Sequence, residues 1–73
     1  MDTDRLKQIA EAILLAAGRP LTLDQLLALF EEHERPEGAE LREALEALEG
    51  DLDDRGIELV QVASGYRIQV KDA

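Results

Sequence analysis

This 73-residue chain has no cysteine, so neither a disulfide nor a thiolate metal site can brace it. It has no tryptophan, one phenylalanine and one tyrosine, so its core must be built from Leu, Ile, Val and Ala. The only histidine, His33, lies in Glu31-Glu32-His33-Glu34. Neighbours in sequence splay around a helix, whereas paired metal ligands stack one turn apart on one face. A surface histidine near a helix C-terminus is the expectation there. No cysteine nucleophile exists, Ser64 has no histidine near it in sequence, and no glycine-rich loop leads into a helix to cradle phosphate. The carboxylates fall on exposed helical faces, where burial cannot raise their pKa. The pattern therefore predicts no catalysis, no metal and no cofactor. Long hydrophobic runs are also missing. The longest, Ala12 to Ala17, is far too short for a bilayer, and the acidic start is unlike a signal peptide. A cytoplasmic protein without membrane contact is the expectation, with which the absence of cysteine agrees.

Basic residues are scarce. Eight Lys and Arg stand against 17 Asp and Glu, a net charge of −9. Binding to nucleic acid rests on cations that neutralise phosphates and release counterions, so DNA and anionic membranes should repel this chain. A chain this short makes one small domain and buries only about 60% of the surface its unfolded form exposes.

What is present is a clear order of helices followed by a hairpin. Leu6, Ile9, Ala10, Ile13, Leu14 and Ala17 recur at helical spacing and predict a first helix from about Asp4 to Ala17. Gly18 ends it, and Arg19-Pro20 prevents continuation. Thr22 with Gln25 forms a capping box, with Leu21 and Leu26 as its hydrophobic staple. The second helix should bury Leu23, Leu26, Leu27 and Phe30 and stop in the polar run from Glu31 to Pro36. A third should begin between Pro36 and Ala39 and carry the stripe Leu41, Ala44, Leu45, Leu48 and Leu52, with Gly50 inside it. Arg55-Gly56 is expected to supply a cation and a left-handed cap at its end.

The run from Ile57 to Val70 alternates as two strands, and Ser64-Gly65 is expected to be the turn between them. In that register Ala63 opposes Tyr66, Gln61 opposes Ile68 and Leu59 opposes Val70. Ile57, Leu59, Tyr66, Ile68 and Val70 share the core face with Ala63 and Gln61, and Val60 and Val62 point outward. The fold class expected is α+β: a winged helix of three helices and a two-stranded wing.

In a winged helix the third helix is the element that enters DNA. From Glu37 to Arg55 it carries Glu37, Glu40, Glu43, Glu46, Glu49, Asp51, Asp53 and Asp54 against Arg42 and Arg55. Opposite the leucine stripe lie Glu43, Glu46, Asp53 and Asp54, which offer acceptors where phosphate needs donors. They form either a solvated face or a docking face for a basic partner. A second group is apolar. Leu15 falls about 180° from Leu6 on a helical wheel, and Val60 and Val62 occupy the outer face of the wing. Scattered exposed aliphatics are ordinary, but three on an acidic domain with a small core also fit an interface.

Three segments carry a resemblance: Glu11-Ala-Ile-Leu-Leu-Ala-Ala-Gly-Arg-Pro-Leu-Thr22, Leu41-Arg-Glu-Ala-Leu-Glu-Ala-Leu48 and, most specifically, Gly56-Ile-Glu-Leu-Val-Gln-Val-Ala-Ser-Gly-Tyr-Arg-Ile68. They resemble the N-terminal winged-helix domain of the bacterial segregation and condensation protein B family, ScpB. The resemblance implies a homodimerising accessory subunit of the SMC condensin complex that binds the kleisin ScpA in chromosome condensation and segregation. It also implies a second winged helix beyond Ala73, so that residues 1–73 would be one domain of a two-domain protein. The alternatives at this stage are an acidic dimerisation or regulatory domain of a winged-helix transcription regulator, and a structural dimerisation domain unrelated to chromosomes.

Overall fold

A computed structural model describes residues 2–72. Its order is α1 (Thr3–Ala17), β1 (Leu21–Thr22), α2 (Leu23–Ala28), α3 (Gly38–Asp51), β2 (Ile57–Val62) and β3 (Gly65–Val70), with a 3-10 turn at Glu32–Glu34. The winged helix stands, with one addition. Leu21 and Thr22 pair antiparallel with Tyr66 and Gly65, so the wing becomes a three-stranded sheet of order β1-β3-β2.

Local chemistry sets most boundaries. The Asp2 carboxylate accepts the Arg5 N–H at 2.9 Å and opens α1, and Gly18 closes it at φ 63, a left-handed conformation that glycine adopts without a Cβ penalty. Thr22 and Gln25 form the expected capping box, with bonds of 3.1 and 2.9 Å. Helix α2 is shorter than its apolar pattern, ending at Ala28. Arg35 folds back to serve its C-terminal end: Nε donates to the Leu27 carbonyl at 2.9 Å and Nη2 to that of Phe30 at 3.4 Å. At α3 the Glu40 carboxylate accepts the Glu37 N–H at 3.0 Å.

The far end of α3 departs from expectation. Gly18 is the only glycine with positive φ among the described residues, so Gly56 is not a left-handed cap. Instead, Lys71 reaches across from the end of β3, and its Nζ donates to the carbonyls of Leu52 (2.9 Å) and Asp53 (2.8 Å). A cation brought by the tertiary fold satisfies the carbonyls that a local cap would otherwise take.

The hairpin is also corrected. Val62 pairs with Gly65, Gln61 with Tyr66, Leu59 with Ile68 and Ile57 with Val70, so the two turn residues are Ala63 and Ser64. The left-handed residue is Ala63, at φ 50, a geometry that costs roughly 1–2 kcal/mol for a residue with a Cβ. Gly65 stands in β3 for a different reason. A Cβ there would sit 3.1 Å from Pro20 Cβ and 3.4 Å from the Leu21 backbone, so glycine is what lets β1 approach. The register moves by two residues, which preserves which face each side chain takes. Three residues expected on the core face are nonetheless exposed: Gln61, Ala63 in the turn, and Val70, the last residue of β3, at 77%.

Helices α1 and α3 pack on each other and on the sheet, α1 against β3 and α3 against β2, while α2 packs on α3 and β1. The largest fully buried side chains are Leu6, Leu14, Leu26, Leu41, Leu45 and Leu52. Among the described residues no polar or charged residue is buried. The interior is aliphatic apart from Phe30, which is buried in it, and Tyr66, which packs against its edge.

Candidate interaction surfaces

The polar chemistry of the molecule lies on its surface. His33 is exposed in the 3-10 turn, with Nε2 3.6 Å from carboxylate oxygens of both Glu31 and Glu34. Among the described residues no group of three or more His, Cys, Asp or Glu is placed to hold a metal ion. No helix of the described residues is long and apolar enough to cross a membrane. Lys7 is paired with two carboxylates. Its Nζ lies 2.6 Å from Asp51 and 3.5 Å from Asp4, tying the start of α1 to the end of α3. The hydrogen bond to Asp51 is the main reason its pKa rises above the usual lysine value.

The acidic candidates separate into two places. Glu43 and Glu46 are exposed on α3, whereas Asp53 and Asp54 lie past its end at Asp51, in the turn that Lys71 holds. They do not share one helical face as their spacing implied, because α3 stops before them. Arg42, Leu45, Glu46, Glu49, Leu59, Gln61 and Tyr66 line a small groove between α3 and the wing. Gln61, on the core face by parity, is exposed there.

The apolar candidates separate as well. Leu15 is 50% exposed and Val62 40% exposed, while Val60 is half-buried. Val60 lies across from Arg67 and Val62 from Gly65 on the sheet's outer face, beside the Gln69–Glu58 hydrogen bond of 3.0 Å. Helix α1 packs on the opposite face of the sheet and directs Leu15 away from it. The three residues thus belong to two layers rather than one patch.

Leu29 is a further exposed aliphatic that no sequence expectation singled out, 59% exposed just after α2. It borders an apolar groove with Ile13, Ala16, Ala17, Arg19 and Leu21. A signal for it existed: Ile9, Ala12, Ile13 and Ala16 recur at i, i+3, i+4 and i+7. They form a second apolar stripe on α1, beside the one that fills the core.

A winged helix with a mostly aliphatic core and no basic recognition face has known relatives. A family model described as the segregation and condensation complex subunit ScpB matches residues 8–73. The chain belongs to the ScpB family. It is 40% identical over 65 residues to a segregation and condensation protein B homolog of Coxiella burnetii, an alignment covering 89% of this chain and 31% of that protein. The chain therefore spans about a third of the length of that ScpB relative. Its fold superposes with TM-score 0.78 and 32% identity on a crystal structure of a dimer of ScpB N-terminal domain complexed with ScpA peptide, covering 93% of this chain and 83% of that one. A crystal structure of ScpB from Mycobacterium tuberculosis matches with the same TM-score and identity over 97% of this chain and 43% of its own. The ScpB match begins within α1 and runs through every later element, the wing included.

Proposed function

We propose that residues 1–73 are the N-terminal module of a cytoplasmic, non-catalytic accessory subunit of an SMC–kleisin complex, acting in chromosome condensation and segregation through protein–protein contacts. In this reading the domain pairs with a second copy of itself and binds the kleisin ScpA, and a second winged helix follows it in the full-length protein. The observation that carries the reading is the match over 93% of the chain to an ScpB N-terminal domain seen as a dimer with an ScpA peptide. The chemistry agrees with it. A net charge of −9 and the exposed Glu43 and Glu46 on α3 disfavour phosphate contacts, and exposed aliphatics leave apolar surface for a protein partner. Leu15, Val60 and Val62 are the candidate self-association residues, and Glu43, Glu46, Asp53 and Asp54 the candidate acidic docking residues.

The test is to mix the 73-residue domain with the kleisin of the same organism and measure mass by light scattering during gel filtration, beside a titration of labelled duplex DNA at low salt. A complex with the kleisin and no DNA binding is expected. DNA binding that weakens with salt, without kleisin binding, would overturn the proposal. Self-association is read by sedimentation of the domain alone and of Leu15→Glu and Val62→Lys. Added salt should strengthen it, because like charges oppose it.

A further inference from the structure

Helix α1 carries more apolar surface than its own domain covers. Leu6, Ala10 and Leu14 are buried in the core. The second stripe runs along the neighbouring flank: Ile9 and Ile13 are half-buried, and Ala12 and Ala16 are exposed. At its C-terminal end this stripe opens into the groove formed with Leu21 and the exposed Leu29. Two alanines four residues apart leave a shallow track along α1, and small side chains at a contact allow two helix axes to approach closely. The spacing of the stripe is that of a seam for another helix.

The electrostatics of the groove oppose those of the whole molecule. In a chain of net charge −9, no carboxylate lines the groove, and its single charged lining residue is Arg19. No carboxylate among the described residues pairs with the Arg19 guanidinium. A second copy seated groove on groove is a poor occupant. A two-fold contact presents the same patch from both sides, so it would bring no carboxylate to Arg19 from the matching groove.

We propose that this flank of α1, completed by Leu21, Leu29 and Arg19, seats an amphipathic helix of the kleisin, with apolar side chains over Ala12 and Ala16 and a carboxylate against Arg19. The inference rests on the reading that a kleisin is the partner, and adds which face receives it and what chemistry the segment has. It also reverses the preference that net charge alone would set. The domain as a whole attracts cations, yet the segment that docks here carries an acid.

The experiment uses overlapping synthetic peptides of about 20 residues, long enough for a helix of about 30 Å, covering the kleisin of the same organism. Binding is measured by fluorescence anisotropy and mapped by amide shifts on the labelled domain. The tightest peptide is expected to be helical and acidic beside its apolar face, and to shift Ala12, Ala16, Arg19 and Leu29. Ala16→Glu and Leu29→Glu should each weaken it about tenfold or more. Arg19→Glu should weaken it as well and be rescued by a peptide whose acid is changed to lysine. Both Ala16 and Leu29 are exposed, so these variants retain the core, and unchanged thermal unfolding checks that they do. The proposal is overturned if the tightest peptide is basic or maps to Glu43 and Glu46. It is overturned too if full-length kleisin binds but Ala16→Glu and Leu29→Glu leave its affinity unchanged. Dissociation of a homodimer by those same two variants would identify the occupant as a second copy and also overturn it. Failure of full-length kleisin to bind the wild-type domain would overturn the reading beneath it.

Discussion

Helices α1 and α3 lie against each other and divide the same core, yet their outer halves differ. Toward the core, α1 sets Leu6, Ala10 and Leu14, and α3 sets Leu41, Ala44, Leu45 and Leu48. Away from it, α3 exposes Arg42, Glu43, Glu46 and Glu49, whereas α1, polar at Asp4, Arg5 and Gln8 in its first half, exposes Ala12, Leu15 and Ala16 beside the half-buried Ile9 and Ile13. The inner halves match because both must exclude water from one small aliphatic interior. The outer halves answer to what lies outside the domain. The outer face of α3 is hydrated and charged against phosphate, although α3 is the helix that other winged helices insert into DNA. The apolar outer flank belongs to α1, from Ile9 to Ala16.

Core truncations put the largest expected effect on this comparison. Leu14→Ala and Leu45→Ala, each 1% exposed, should lower unfolding stability by about 2–5 kcal/mol. Leu15→Ala, one position along α1 but 50% exposed, should change it by no more than about 0.5 kcal/mol in the isolated domain. Urea unfolding of the three variants measures this, and an equal loss at Leu14 and Leu15 would break the division of α1 into inner and outer halves. The sheet that closes the same core offers the next test. Gly65→Val should cost about 1–3 kcal/mol by overpacking, because its side chain would meet Pro20 and Leu21. Ala63→Gly should be neutral or stabilising by up to about 1 kcal/mol, since it relieves the residue at φ 50. The reverse outcome would return the turn to Ser64-Gly65.

A smaller effect sharpens the contrast between the helices themselves. Helix α3 carries Gly50 in its last turn, and a Cβ there would meet nothing within 4 Å. Gly50→Ala should therefore stabilise by about 0.4–1 kcal/mol, while Ala12→Gly on α1 should destabilise by up to about 1 kcal/mol. Thermal unfolding of both compares helix propensity with packing nearly untouched. The smallest effect concerns Lys7, which joins the two helices through Asp51. Its pKa is raised from the ordinary 10.5, first by the hydrogen bond to Asp51. A raised pKa means the folded state holds the proton more tightly, so this stabilisation is full below the unfolded value and fades as pH climbs through the folded one. Lys7→Met should be less stable than wild type at neutral pH, with the gap closing above about pH 10.5 and narrowing in high salt. A gap that widened with pH would assign the loss to packing.

Much of the fold was legible because its signals are local. The capping box at Thr22, the left-handed Gly18 and the leucine stripes of all three helices each depend on residues within a turn or two of one another. The misplaced features share a non-local cause. Gly56 looked like a helix cap, but the cation that caps α3 arrives on Lys71, from the far side of the hairpin. Gly65 looked like a turn residue, but it answers to Pro20 and Leu21, which become its neighbours only when β1 joins the sheet. Val70 alternated correctly and still reached solvent, although its cross-strand partner Ile57 packs against the core. Leu15, Val60 and Val62 were readable as outward-facing, but the layers that separate them are set by packing.

The sequence by itself determined the helix–helix–helix–hairpin order, the aliphatic core and the acidic surface, since periodicity and charge are properties of the chain read along its length. The ScpB likeness was legible there too, in the run from Gly56 to Ile68. Only the tertiary structure decided that β1 exists, that Lys71 ends α3, and that Leu29 meets the second stripe of α1 beside Arg19. A two-residue strand has no periodicity of its own, and a groove has none either. Both form when segments distant in sequence are forced together to bury the leucines that each helix cannot cover alone.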